Sequence, residues 1–158
     1  MNRTQEKFEQ ALAFATEKHR GQYRIGGEPF ISHPIEVCRL VQEKGYGLDY
    51  QITALFHDLL EDTDATEEEI LHLGGADVLE AVKILTKEPG YHMPSYIARI
   101  KSNPIAFAVK AADRLHNLRS AKKTNAQFKR KYIRETQEWY TDFSKEICDA
   151  LEELRQTL

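Results

Sequence analysis

An imidazole and three carboxylates crowd into the short run Leu55-Phe56-His57-Asp58-Leu59-Leu60-Glu61-Asp62-Thr63. On a helix, His57 and Glu61 stand one turn apart, as do Asp58 and Asp62. Asp58 and Glu61 are at i, i+3, so all four can project towards one region. Carboxylates this close repel unless they share protons or a cation neutralises them, which is the reason to expect a metal ion. A solvated face is the bland alternative, but the same helix must bury Leu55, Phe56 and Leu59 beside the acids. Two other places offer ligand types at the edge of an apolar helix. His33 precedes Pro34, and Asp113 lies in Lys110-Ala111-Ala112-Asp113-Arg114-Leu115-His116-Asn117-Leu118-Arg119. A carboxylate that follows Val109 and Ala112 should sit at the core boundary, where burial without a partner costs several kcal/mol. His33, His57, Asp58 and Asp113 would supply two imidazoles and two carboxylates. Such a set suits manganese, iron, cobalt or zinc and is unlike an all-Cys structural zinc site. The His-Asp dipeptide alone is a weak signal, so the elements around it matter.

Those elements read as helices almost throughout, with no sustained strand alternation. Phe8, Ala11, Leu12 and Ala15 mark a first helix behind a Thr4 cap, ending before the Gly-rich loop Arg20-Gly21-Gln22-Tyr23-Arg24-Ile25-Gly26-Gly27. Pro34 opens a second helix with Val37, Leu40 and Val41, and Gly45 ends it. Asp49 can cap a third, which carries Ile52, Leu55, Phe56 and Leu59 on through the acidic run. Thr66 and Glu69 make a capping box for a fourth, stopped by Gly74-Gly75. Val78, Val82 and Leu85 mark a fifth, followed by a breaker segment with Pro89, Gly90 and Pro94 in which a mobile loop is expected. Ser95 can cap a short helix through Lys101, and Asn103-Pro104 reads as cap and first turn for Ile105, Ala108, Val109 and Ala112. Beyond a turn near Lys122, Tyr132, Trp139, Phe143, Ala150 and Leu154 keep near-heptad spacing. That spacing predicts one long C-terminal helix strapped across the bundle, with a dimer seam as the alternative.

Composition bounds the class. The 158 residues fit one globular domain spanning 1–158, and 22 Lys plus Arg against 25 Asp plus Glu leave a formal charge of −3, without the basic excess of a nucleic-acid binder. An anionic substrate must therefore meet a local cluster. No apolar run is long enough for a membrane span and no hydrophobic segment opens the chain, so a cytoplasmic protein is expected. Cys38 and Cys148, in apolar-periodic segments, read as reduced, partly buried packing thiols.

His33, His57-Asp58 and Asp113, in that order, match the signature of the HD-domain metal-dependent phosphohydrolases. The stretches His19-Arg20-Gly21-Gln22-Tyr23-Arg24, Gly27-Glu28-Pro29-Phe30-Ile31-Ser32-His33-Pro34, His57 to Thr63 and Ala112 to Arg119 further resemble the hydrolase domain of the RelA/SpoT alarmone enzymes, over about residues 8 to 120. The resemblance implies an all-α helical bundle, with manganese held by His33, His57, Asp58 and Asp113. It implies that Glu61 and Asp62 orient or activate the attacking water. The implied reaction removes the 3′-pyrophosphate of (p)ppGpp, leaving GDP or GTP. Arg24, Lys110 and Asn117 would face the nucleotide, the bland readings being a surface charge, a solvated helix charge and a helix C-cap. His116 is expected to be structural or to support a ligand, His19 positional, His72 and His92 surface residues, and Tyr96 core in preference to a base-stacking platform.

The chain departs from the family pattern at Ile25, where many alarmone hydrolases have Lys after the loop Arg. Ser95 to Asn117 also resembles small stand-alone bacterial HD proteins. Another nucleotide phosphohydrolase, such as a 5′-nucleotidase or nucleotide pyrophosphatase, is thus the second reading, and a non-catalytic nucleotide or metal sensor the third. No synthetase domain is expected within this length. The partner implied is a small-molecule nucleotide, with no nucleic acid or membrane, and the oligomeric state stays open.

Overall fold

The computed structural model describes residues 2–158. Among these residues ten helices follow one another: α1 (Arg3–Lys18), α2 (Ser32–Glu43), α3 (Leu48–Phe56), α4 (Leu59–Asp62), α5 (Glu67–Gly74), α6 (Ala76–Leu85), α7 (Met93–Ser102), α8 (Pro104–Ala121), α9 (Ala126–Trp139) and α10 (Lys145–Arg155). Among the described residues there is no strand, only an isolated bridge between Tyr23 and Pro29. The all-α expectation therefore holds. At the centre, α3 packs on α1, α2, α6 and α8, and α8 also meets α2, α7, α9 and α10. Phe56, Ile52, Leu55, Leu59, Ile100, Leu118 and Leu154 are all essentially inaccessible, forming a continuous core. Burial of each such side chain stabilises the fold by about 1.5–3 kcal/mol.

Local chemistry sets most boundaries. The Thr66 hydroxyl accepts from the Glu69 N–H and the Glu69 carboxylate accepts from the Thr66 N–H, a complete capping box. Asn103 Oδ1 accepts from the Ala106 N–H, with Pro104 in the first turn of α8. Gly75 ends α5 at φ +92°, and buried Gly74 passes so close to Val78 that a Cβ would lie 2.7 Å from Cγ1.

Other boundaries differ from expectation. Asn2, not Thr4, caps α1, accepting from the Gln5 N–H. Asp49 lies inside the first turn of α3, and α7 begins at Met93, two residues before Ser95, whose hydroxyl pairs with His92 Nδ1. The helix expected through Leu55–Thr63 breaks at His57-Asp58, so α3 and α4 are separate. The long C-terminal helix is also two. Tyr140 and Phe143 turn into the core with ring centroids 5.1 Å apart, Phe143 stacks on Phe107 at 4.7 Å, and Ser144 caps α10 through the Ile147 N–H. Burying those rings folds α10 back onto α8. Both cysteines are free: Cys38 is buried, which pushes its thiol up to about 12, whereas Cys148 is exposed, contrary to the packing role expected. No described helix is long and apolar enough to cross a membrane.

Because α8 carries Asp113 and its only side-chain cap is Asn103, Asn103→Ala should lower unfolding stability by about 1 kcal/mol, read as a shifted urea midpoint with unchanged slope.

Candidate active site

The break between α3 and α4 aims the His57-Asp58 pair inward. His57 donates from Nδ1 to the Ala54 carbonyl at 2.6 Å, which turns Nε2 towards carboxylates: Asp58 Oδ2 and Asp113 Oδ1, each 3.2 Å away. His33, at the start of α2, brings Nε2 to 2.7 Å from Asp113 Oδ1 and 3.9 Å from Asp58 Oδ2. Ligand atoms of His33, His57 and Asp58 lie within 4.8 Å of one another, a group able to hold a metal ion. Asp113 touches both imidazoles. Its other oxygen is ion-paired with Lys110, whose Nζ is 3.2 Å away, and Asn117 Nδ2 donates to Oδ1 at 3.3 Å.

The electrostatics follow from that crowding. Burial opposes the Asp113 charge, but the Lys110 ammonium and hydrogen bonds from His33 and His57 hold its carboxyl well below the usual range. Burial likewise opposes protonated His57, yet the Asp58 charge and hydrogen bonds to Asp113 and Asp58 raise its pKa well above the ordinary value. Asp58 is lowered against its own burial, chiefly by the His57 charge and hydrogen bond. Lys110 is buried and ion-paired, not a solvated helix charge. Asp113 keeps its pKa above that of a free lysine despite burial.

His116 stacks on His33 with Nδ1 atoms 2.7 Å apart, and its Nε2 lies 3.3 Å from Ser120 Oγ. Burial, with the charges on His33 and Arg24, lowers His116 to about 4, so it is neutral at pH 7 and its Nδ1 can accept a hydrogen bond from His33 Nδ1–H. This is the supporting role expected of it. His19 is buried and linked through Gln22 to the Asp62 carbonyl: the Gln22 amide lies 2.9 Å from His19 Nδ1 and donates to that carbonyl at 2.8 Å. Gln22, given no role of its own from the sequence, thus ties the Gly-rich loop to α4. Arg24 in that loop donates to Asn117 Oδ1 at 3.2 Å, so both reach Asp113 through one chain.

A cavity of about 600 Å³ opens above these groups. His33, Asp58, Asp113, Glu61, Asp62, Arg24, Lys110 and Asn117 all line it. Glu61 does not reach back towards His57, since its carboxylate accepts from the Lys87 backbone N–H at 2.6 Å, tying α4 to the residues that follow α6. Burial and the Asp58 and Glu61 charges push the Asp62 carboxyl up to about 6. Tyr96 is core, its hydroxyl donating to the Leu85 carbonyl at 2.8 Å. Lys87, Arg114 and Tyr132 also line the cavity and were missed. A usable signal existed for Arg114, one helical turn after Lys110 on the Asp113 helix.

Residues 11–92, including His33 and the His57–Asp62 run, match the HD domain model, and the chain belongs to that family. The chain is 33% identical over 150 residues to a guanosine-3′,5′-bis(diphosphate) 3′-pyrophosphohydrolase of Aquifex aeolicus (strain VF5), covering 90% of this chain and 22% of that protein. It is 29% identical over 152 residues to the bifunctional (p)ppGpp synthase/hydrolase SpoT of Escherichia coli (strain K12), covering 89% and 22%. The chain therefore spans about a fifth of these relatives' length. A solved metazoan ortholog of SpoT that hydrolyses ppGpp superposes with a TM-score of 0.70 at 26% identity, over 96% of this chain and 91% of that one.

Removing Asp113 should strand the buried Lys110 ammonium. In chelator at pH 7, Asp113→Ala should lose about 3–5 kcal/mol in urea melts, and adding Lys110→Met should recover much of it, because the stranded charge is gone.

Proposed function

We propose that this chain is a cytoplasmic, metal-dependent hydrolase that removes the 3′-pyrophosphate of (p)ppGpp, yielding GDP or GTP and pyrophosphate, with manganese as the ion. The observation that carries this reading is the convergence of two anchored imidazoles and two carboxylates at one end of a cavity lined also by Arg24, Lys110 and Asn117. The likeness to named ppGpp hydrolases supports the choice of substrate.

The donors fit a divalent ion. His57 is fixed by the Ala54 carbonyl and His33 by His116, the kind of outer partners that orient ligating imidazoles, and the mixed nitrogen and oxygen set suits manganese. In this proposal His33, His57, Asp58 and Asp113 hold the metal, which when bound polarises the phosphoryl oxygen and acidifies water. Asp62, with its carboxyl near 6, is ionised at neutral pH yet basic enough to take the proton of the attacking water. Glu61 orients, through its grip on the Lys87 N–H. Arg24 and Asn117 face the nucleotide anion. Water attacks the ribose-proximal 3′ phosphorus, the bond from that phosphorus to the ribose 3′ oxygen breaks, and the 3′ oxygen leaves protonated.

Incubating ppGpp and manganese with the protein in oxygen-18 water should give GDP and one equivalent of pyrophosphate, with the label in pyrophosphate alone. Stepwise orthophosphate, or rapid cleavage of ordinary nucleotides beside inert ppGpp, would favour the general nucleotidase reading, to which exposed Ile25 lends weight. Asp62→Asn should keep the metal and lose about 10²–10⁴-fold in kcat.

Metal loading should also release protons. In the metal-free protein, His57, with its raised pKa, contributes stability that is complete below its unfolded value and fades as pH rises through the raised one. Only neutral imidazole binds metal, so affinity should climb over that same interval. Calorimetry in buffers of different ionisation enthalpy should report the protons released, and the Tm gap between loaded and chelated protein should widen with pH.

A further inference from the structure

The half-buried Gln22 side chain bridges the end of α1 and the end of α4. Its Nε2 donates to the Asp62 main-chain carbonyl at 2.8 Å, and its Oε1 lies 2.9 Å from His19 Nδ1. A carbonyl can only accept, so the amide nitrogen must face Asp62 and the amide oxygen must face His19, which therefore donates from Nδ1–H. His19 Nε2 is then a lone-pair nitrogen, buried without a hydrogen-bond partner, on a ring whose centroid is 4.8 Å from that of Phe30. Burial keeps that imidazole below its ordinary pKa and neutral at pH 7. One nitrogen of a core histidine is left unsatisfied while the other holds Gln22. The Gln22 main chain is fixed as well, its N–H donating to the His19 carbonyl at 3.0 Å and its carbonyl accepting from the Phe30 N–H at 2.8 Å.

The Asp62 end of the bridge matters because α4 is one turn long and stops there. A carbonyl in the last turn of a helix has no partner within it, and Gln22 supplies the missing donor. Glu61 is anchored by its own carboxylate, on the Lys87 N–H. Among the described residues nothing donates to the carboxylate of Asp62, so its place in the cavity is set by its main chain. That main chain has two tethers, its N–H to the Asp58 carbonyl at 3.0 Å and its carbonyl to Gln22. Two residues beyond Gln22, the same loop carries Arg24, bonded to Asn117 of α8. We propose that Gln22 is a positioning residue for the hydrolysis: it holds the Asp62 main chain so that the carboxylate meets the attacking water, at a distance from Arg24 that the loop fixes. This rests on the reading of Asp62 as the base that takes the proton of that water. Rate falls steeply when a reacting group is displaced, so loosening the bridge should reduce turnover and spare binding.

The test uses the full chain loaded with manganese, ppGpp as substrate, and Gln22→Met, which keeps the length of the side chain and removes the donor. kcat should fall about tenfold, with KM within about twofold of the parent's and metal content unchanged. Placed on Asp62→Asn, the same substitution should lower kcat by less than about twofold, because a residue that acts through Asp62 then has nothing left to position. A role in overall stability alone predicts a lower Tm with parental kcat, or equal fold losses on both backgrounds. Either result, or a raised KM with kcat unchanged, overturns the proposal. Hydrogen exchange gives a readout independent of turnover. The Asp62 and Thr63 amides, bonded to the Asp58 and Leu59 carbonyls, should exchange about tenfold faster in Gln22→Met, while those of α8 keep the parent's rates. Parental exchange at both amides overturns the proposal. Should Gln22→Met not fold, Gln22→Glu, which keeps an acceptor for His19 and lacks the donor, replaces it with the same expectations. The two readings fail separately. A parent that leaves ppGpp intact, or an Asp62→Asn variant with parental kcat, sinks the reading of the reaction, and the exchange rates then decide whether Gln22 holds Asp62. Parental kcat in Gln22→Met beside an impaired Asp62→Asn sinks the positioning role alone.

Discussion

Asp113 is a buried carboxylate on which two imidazoles, one ammonium and one amide converge. Each partner comes with an element attached: His33 with the start of α2, His57 with the end of α3, and Lys110 and Asn117 with the neighbouring turns of α8. Asn117 extends the connection to Arg24 in the Gly-rich loop. A charge in the core is tolerable only when such partners surround it. The packing of α2, α3 and α8 is therefore coupled to the ionisation of a single side chain, and a divalent ion among the same donors would share that role.

The parts of this arrangement that were legible in the sequence are those set by residue type and short spacing. His33, His57, Asp58 and Asp113 stand out because acids and imidazoles beside apolar helical stripes need a cation. Asn103-Pro104 and Thr66 with Glu69 act locally, through hydrogen bonds within one turn, and they fell where expected. What was not legible depends on long-range packing. Nothing in Leu55–Thr63 disfavours a continuous helix, so the break at His57-Asp58 follows from tertiary contacts: His57 is held by the Ala54 carbonyl behind it and by Asp113 of α8 in front. That break redirects Glu61 from the imidazole it would have met at i, i+4 to the Lys87 amide. In the same way, the heptad spacing of Tyr132, Trp139 and Phe143 describes an apolar stripe but not the corner that forms when Tyr140 and Phe143 are driven into the core.

That corner has a consequence for the site. Tyr140, at the α9 end of the corner, lays its ring against both Lys110 and Arg114. The cationic wall of the cavity, made by Lys87, Lys110 and Arg114, is thus a product of the fold and not of any one motif. Lys110 and Arg114 are one turn apart on α8, but Lys87 in the segment after α6 and Tyr140 at the end of α9 are too distant in sequence for spacing rules to connect to them.

The charge is consequently divided within one cavity on a chain of net charge −3. At one end Asp58, Asp62 and Asp113 concentrate negative charge, suited to a metal ion and to accepting protons from water. Along the wall, Lys87, Lys110 and Arg114 concentrate positive charge. A polyanion without metal would be repelled by the first and attracted by the second, so its orientation is set before any bond is strained. Lys110 stands at the junction, paired to Asp113 yet set against the buried rings of Tyr96 and Tyr140. Losing its charge would unbalance both ends together: Asp113 would be short of a partner, and the wall would lose the cation next to Arg114. Of all the cavity cations, Lys110 is therefore the least replaceable, although it is among the least exposed.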